Sequence, residues 1–395
     1  MSPLPVPFSL NAVPEIHFGP GRGRALSDGV RAVSAATPGA PAKVLLVADA
    51  ALVELGLVAP LRQGLEADGA DVGLYSDIAG EPKAAQIDAA AEAARRLGAG
   101  VVIALGGGSA LDIGKVAAAI APAAKDAMHY ALAANPLPGK GLPAICLPTT
   151  AGTGSELSAT NIFAGPAGKK LWIWGQETKP QRVILDPELT LSLPPQLTAW
   201  TGLDAFVHAL EACTNRYANA GNSMTCHKAL TLIAGALETA VQQPDNLAAR
   251  GDLLLGSAFA GIGIDNCGTA VAHNISHALA GLAPVHHGLA TALGLEATLA
   301  WSVEADAKEA NGGKFAAAAR ACGLSSAQEL PEWYSDLMTR CGVARRLPET
   351  FGGFDAAALA AEMRAAENQP MRAATAREVT EDDIERFAGA IMALA

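Results

Sequence analysis

Four of the chain's eight histidines fall in one stretch, GTAVAHNISHALAGLAPVHHG, from Gly268 to Gly288. His273 and His277 are four residues apart, so a helix over AVAHNISHALA puts both rings on one face. Gly281 and Pro284 read as a helix stop, and a new apolar-periodic segment opens at Gly288. His287 then stands at a helix entrance, where it can fold back toward His273. Metal sites and proton-transfer sites are built this way, although a histidine on an apolar face can also be a hydrogen-bonded core residue. A second pair upstream favours chemistry. In TGLDAFVHALEA, Asp204 and His208 are also four apart in an apolar setting. A carboxylate buried without a partner costs roughly several kcal/mol, so Asp204 asks for a cation. Three imidazoles and one carboxylate suit a divalent ion of borderline hardness, iron(II) or zinc, better than magnesium or calcium.

Two glycine-rich loops point to a second ligand. Gly106, Gly107, Gly108 and Ser109 follow the β-rich run GVVIALG and precede the helical segment ALDIGKVAAAIAP. Glycines there let the backbone turn and approach a ligand, and free N–H groups at the helix start attract phosphate. The loop PTTAGTGSE (148–156) ends another strand and is dense in hydroxyls. At the ends of two strands of one parallel sheet, both loops face the crevice where nucleotides bind. Neither the GxGxxG fingerprint nor a P-loop is present.

The elements that must hold these residues are legible as patterns. KVLLVAD (43–49), DVGLYSD, GVVIALGGGS and AICLP read as strands. Helical segments separate them, ALVELGLVAPLRQGLEADGA and AAQIDAAAEAARRLGA among them. That alternation predicts a parallel sheet with flanking helices; KKLWIWG and QRVILDP add two further strands. After about Leu193 the β-branched runs stop and Ala/Leu/Glu segments of helical period take over. The boundary is placed near residue 190: an α/β nucleotide-binding domain over 1–190 and an all-helical domain over 191–395. A length of 395 residues accommodates both cores. The formal net charge of -11 argues against nucleic acid or an anionic membrane as partner. No signal-peptide pattern opens the chain, and no uninterrupted apolar run reaches the ~18 residues of a spanning helix. The six cysteines form no CxxC pair and read as buried thiols in a reducing cytoplasm. A homodimer is the minimal assembly expected.

Taken together, IHFGPG, GGGSALDIGK (106–115), PTTAGTGSE, DPELTLSLPP (186–195), GLDAFVH (202–208) and H-x3-H-x9-HG from His273 resemble the iron-containing (group III, metal-dependent) alcohol dehydrogenase family over nearly the whole length. The resemblance implies the dehydroquinate synthase-like fold, with an active site in the cleft between an N-terminal dinucleotide domain and a C-terminal helical domain. It implies Asp204, His208, His273 and His287 as ligands of Fe2+ or Zn2+, and His277 as a proton-relay residue beside the nicotinamide. It places Gly107, Gly108 and Ser109 on the cofactor pyrophosphate, and Thr149, Thr150 and Thr153 in the second cofactor loop. Lys170 matches a lysine on the cofactor ribose. Asp49 matches a carboxylate beside the adenosine ribose, which favours NAD over NADP; a strand-end turn or helix N-cap is its other reading. For Asp112 and Lys115 a structural reading is nearly as strong as a ligand-binding one, since an Asp in a first helical turn complements the helix dipole whatever the ligand.

The implied reaction interconverts a small, primary alcohol and its aldehyde. A Lewis-acid metal acidifies the alcohol, and hydride passes to the nicotinamide. A diol or hydroxy acid stays open as substrate. The sequence departs from the family at VHHGLATALGLEATLAWS, where His286 competes with His287 for the ligand register and Thr291 stands in the place of an asparagine. The glycine after His287 and its fourteen-residue spacing from His273 favour His287. A metal-free reductase resembling maleylacetate reductase and a lyase resembling dehydroquinate synthase are the rival readings.

Overall fold

The computed structural model describes residues 7–34, 42–78, 80–165, 170–306 and 313–395. The chain separates into two compact units: Val13–Leu193, and Pro194–Ala395 joined by residues 7–12.

The first unit carries strands β1 (Glu15–Phe18), β2 (Lys43–Ala48), β3 (Asp71–Tyr75), β4 (Val101–Gly106), β5 (Ala144–Pro148), β6 (Thr160–Ala164), β7 (Lys170–Trp174) and β8 (Arg182–Leu185). Its helices are α1 (Leu26–Val33), α2 (Ala50–Glu54), α3 (Val58–Ala67), α4 (Ala84–Leu97), α5 (Gly108–Ile120) and α6 (Ala127–Tyr130). Six strands form one all-parallel sheet in the order β1-β8-β5-β4-β2-β3, and β6 and β7 form a separate antiparallel pair. The central strands are continuous apolar runs because both faces are covered. On β2, Val44 and Leu46 meet Leu26 and Leu61 from α1 and α3, while Leu45 and Val47 meet Ile87 and Val116 from α4 and α5. Each such side chain contributes about 1.5–3 kcal/mol on burial. The α5 helix sits close on β4 because Gly114 has no side chain: a Cβ there would lie 2.6 Å from that of Ala104.

Two details differ from the sequence expectation. The segment after β2 is two helices, broken at Gly56, whose φ of +76° suits glycine. The short strands β1 and β6 were not anticipated; EIHF is half-exposed at a sheet edge and carries no continuous apolar run. The helix that carries His273 and His277 ends at Leu282, between Gly281 and Pro284, where the sequence places its stop.

The second unit contains no strand among its described residues. It is built from α7 (Pro195–Thr214), α8 (Ala220–Gln242), α9 (Leu247–Cys267), α10 (Val271–Leu282), α11 (His287–Asp306), α12 (Gly313–Ala321), α13 (Leu330–Arg340), α14 (Ala356–Arg364), α15 (Gln369–Ala374) and α16 (Glu381–Met392). By length and composition α9 could cross a membrane, but 61% of its apolar window is buried, and it packs on α7 and α8 as a core helix. The α10 helix is held near its start by Asn274, whose Nδ2 donates to the carbonyls of Met363 and Asn368, both at 3.0 Å. All six cysteines are free thiols, five of them buried.

Candidate active site

Asp204 and His208 lie one turn apart on α7, His273 in the first turn of α10, and His287 is the first residue of α11. One potential ligand atom from each lies within 4.8 Å of the other three. Asp204 Oδ1 stands 3.7 Å from His273 Nε2 and 3.6 Å from His287 Nε2; Asp204 Oδ2 stands 4.0 Å from His208 Nδ1. These separations exceed hydrogen bonds. Asp204 and His273 are each 2% exposed, and Asp204 Oδ1 and His273 Nε2 have no hydrogen-bond partner. Two buried acceptors aimed at one point, with two more imidazoles beside them, fit a divalent cation of borderline hardness.

The helices reach one another because small residues stand at their contacts. Gly288 lies against the backbone of α7 at Trp200, and Gly294 lies against Ala272 of α10. His287 Nδ1 is 3.0 Å from Ser276 Oγ, which turns its Nε2 edge toward Asp204. His286 points elsewhere, its ring 4.8 Å from that of Trp200, so of the two neighbours only His287 joins the cluster. His277 stays outside the four, with its ring 5.6 Å from that of His287. Thr291, at the position of the family's asparagine, bonds within its own helix to the His287 carbonyl at 2.9 Å.

Sequence reading missed two residues. Ser276 is one. Glu211 is the other; its carboxylate lies 2.6 Å from His273 Nδ1. Its signal was present, since Asp204, His208 and Glu211 are spaced i, i+4, i+7 along one helix face. A cavity of about 160 Å³ lies on another side of Glu211, lined by Thr298, Lys314 and Arg377 among others. None of the four clustered residues lines it, so it is not where the clustered donors converge.

In the α/β unit the two glycine-rich loops meet. They leave the carboxyl ends of the neighbouring strands β4 and β5, and Asp49 leaves the end of β2 on the other side of β4. From β2 the chain steps to β3 on one side and then to β4 on the other, which makes the crevice between β2 and β4 a topological switch point. A Cβ on Gly107 would lie 3.3 Å from Thr150 Cγ2, and one on Gly108 would lie 2.9 Å from Thr153 Cγ2. Thr149 N donates to Gly106 O at 3.0 Å. Ser109 Oγ donates to Gly80 O at 2.9 Å. Asp49 caps α2, accepting from Ala51 N at 2.9 Å. Lys170 lies on β7, with Nζ 3.1 Å from Glu81 Oε1.

Asp112 and Lys115 hold the second loop from beneath. Lys115 is fully buried and donates to the carbonyls of Ser155 (2.6 Å) and Ser158 (3.0 Å). Asp112 accepts from Ser155 Oγ and from Ile162 N. Burial pushes the neighbouring Glu156 carboxyl from its ordinary 4.5 up to about 7, against the pull of its own backbone N–H and of Lys115. An acid raised on folding favours its neutral form. Its contribution to stability is therefore full below pH 4.5 and is lost as pH rises through about 7. Glu156→Gln is expected to leave the melting temperature unchanged at about pH 4 and to raise it at about pH 8. Equal shifts at both values would contradict this.

Residues 14–187 match the family described as iron-containing alcohol dehydrogenase, and residues 198–392 match the Fe-containing alcohol dehydrogenase family, C-terminal. The chain belongs to this family. It is 35% identical over 249 residues to sulfoacetaldehyde reductase of Bilophila wadsworthia, covering 63% of this chain and 64% of that one. It is 32% identical over 288 residues to a 1-propanol dehydrogenase of Salmonella typhimurium, covering 72% and 73%. The aligned region thus spans slightly under two thirds of the length of the sulfoacetaldehyde reductase, and the same 64% of a long-chain-alcohol dehydrogenase of Geobacillus thermodenitrificans. Among solved structures, the fold matches sulfoacetaldehyde reductase from Bifidobacterium kashiwanohense in complex with NAD+, with TM-score 0.84, 28% identity, and 96% and 97% of the two chains covered. A 1,3-propanediol oxidoreductase matches with TM-score 0.84 and 27% identity, covering 97% and 99%.

Proposed function

We propose that this chain is a metal-dependent, NAD(H)-linked alcohol dehydrogenase interconverting a small primary alcohol and its aldehyde. The observation that supports this best is the convergence of Asp204, His208, His273 and His287, with two buried acceptor atoms lacking partners. These four residues would hold the ion, Fe2+ or Zn2+, which when bound would supply a Lewis acid to stabilise negative charge on the substrate oxygen. Asp204 brings the one negative charge among the four donors. Ser276 orients His287 through Nδ1. His277, ring to ring with His287 and partly exposed, carries the alcohol proton to solvent.

The cofactor half belongs to the α/β unit. Gly107, Gly108 and Ser109 at the start of α5 receive the pyrophosphate, where backbone N–H groups and the helix dipole favour an anion. Thr149, Thr150 and Thr153 line the adjoining loop, Lys170 serves the ribose, and Asp49 selects NAD by repelling a 2′-phosphate. The similar structure from Bifidobacterium kashiwanohense holds NAD+, which supports this cofactor. Three of the similar proteins are named for short substrates, sulfoacetaldehyde, 1-propanol and 1,3-propanediol, which supports a small substrate, whereas the relative from Geobacillus thermodenitrificans is named for long-chain alcohols. A cytoplasmic homodimer completes the reading, on the frequency of twofold assemblies and the unpaired thiols.

The test is NADH formation from a panel of small alcohols, diols and hydroxy acids, and NADH consumption with the matching aldehydes and sulfoacetaldehyde. Each runs on protein stripped by chelator and refilled with Fe2+ or Zn2+. Activity that disappears on stripping and returns with one ion is expected. Activity indifferent to stripping would replace this reading with that of a metal-free reductase, and lyase chemistry would leave NADH unchanged over many turnovers.

A further inference from the structure

Glu211 lies on α7 three residues beyond His208 and is 5% exposed. Its carboxylate makes three short contacts, all to the beginning of α10. Oε1 accepts from Ala272 N at 2.7 Å; Oε2 accepts from Ala270 N at 2.7 Å and faces His273 Nδ1 at 2.6 Å. An ionised carboxylate only accepts, so the ring nitrogen facing it carries the proton. In a neutral imidazole that leaves the lone pair on Nε2, the atom that has no partner and stands 3.7 Å from Asp204 Oδ1. The opposite tautomer would set a lone pair against the carboxylate and direct an N–H at the point where the other donors converge.

Charge points the same way. Asp204 supplies one negative charge to a divalent ion, and Glu211, one imidazole away, supplies a second. Two carboxylates and a dication make a neutral buried group, and buried charge is costly unless compensated.

We infer that Glu211 is a positioning residue that locks His273 in the Nδ1–H tautomer and completes the charge balance of the site, and thereby sets its affinity for a divalent ion. The inference rests on the metal-site reading above. A purely structural Glu211 would only tie down the first turn of α10 through Ala270 and Ala272.

The test uses Co2+ as probe with the full-length wild type and Glu211→Gln. Glutamine has nearly the same shape and still accepts from a backbone amide, but its NH2 can donate to Nδ1 and reverse the tautomer. Expected is Co2+ binding weaker by roughly 10–100-fold in competition with a chromophoric chelator, together with a changed Co2+ absorption spectrum. Equal affinity and an unchanged spectrum in folded Glu211→Gln would overturn the inference. Should the variant not fold, wild-type protein labelled with 15N-histidine decides. An exchange-protected Nδ1–H on His273, close to the Ala270 and Ala272 amide protons, is expected, and an Nε2–H tautomer would overturn it. If the wild type takes up no Co2+, the metal-site reading fails on its own, and the tautomer measurement on the metal-free protein still decides the role of Glu211.

Discussion

Asp204→Asn is expected to abolish metal-dependent turnover while leaving the metal-free protein at least as stable as the wild type. The carboxylate is 2% exposed, and its Oδ1 has no hydrogen-bond partner. Without an ion, a buried acceptor of this kind costs roughly 1–3 kcal/mol, and more when charged. An asparagine amide in the same volume can instead donate toward His273 Nε2 or His287 Nε2, now 3.7 and 3.6 Å away. The variant therefore loses the group that attracts a cation and gains a compatible neighbour for the imidazoles. Lewis-acid stabilisation is worth several kcal/mol, and at 1.36 kcal/mol per tenfold the fall in kcat is roughly a thousandfold or more. Two measurements check this: turnover after refilling with Fe2+ or Zn2+, and melting curves with and without metal. The wild type should gain stability with metal by mass action, and the variant should not. Full metal-dependent turnover in Asp204→Asn, or a large loss of stability without metal, would refute the assignment.

The second large effect belongs to a residue with no side chain. Gly288 follows His287 on α11, and a Cβ built there would lie 2.3 Å from the carbonyl oxygen of Trp200 and 2.7 Å from its carbon. Both atoms are backbone of α7, so no rotamer change relieves the overlap. Gly288→Ala must push the start of α11 away from α7, and His287 moves with it relative to Asp204 and His208. Alanine is favoured over glycine within a helix by about 1 kcal/mol, whereas forced overpacking costs about 1–3 kcal/mol. The contact is with rigid backbone, so the clash is expected to win and the melting temperature to fall. A displacement of about 1 Å in a reacting group costs about 100-fold in rate, so kcat/KM should fall by a similar factor. A variant as stable and as active as wild type would mean that the two helices separate freely and that His287 is not held by this contact.

Much of this arrangement was legible in the chain. The α/β alternation could be read because central parallel strands must be apolar on both faces, and β2, β4 and β5 are. Edge strands lack that demand, and β1, half-exposed with the sequence EIHF, carries no such run. The order β1-β8-β5-β4-β2-β3 was not legible either: β8 settles beside β5, and β1 beside β8, through pairings between segments far apart in sequence. Asp204 with His208, and His273 with His277, were visible because neighbours one helical turn apart are a property of the helix itself. Glu211 extends the same face at i+7, but a glutamate on a helix normally faces solvent, so that spacing alone does not tell a buried partner of His273 from a solvated side chain.

By itself, then, the sequence determined the family, the two kinds of unit, the donor types and the spacing of each donor within its own helix, because these are set by local periodicity and by motifs contiguous along the chain. Only the tertiary structure decided that α7, α10 and α11 bring four donors to one point, that His287 rather than His286 turns toward Asp204, and that Glu211 faces His273. Those outcomes depend on how closely helices separated by tens of residues can approach, and here the approach is set by glycine against backbone at Gly288 and Gly294.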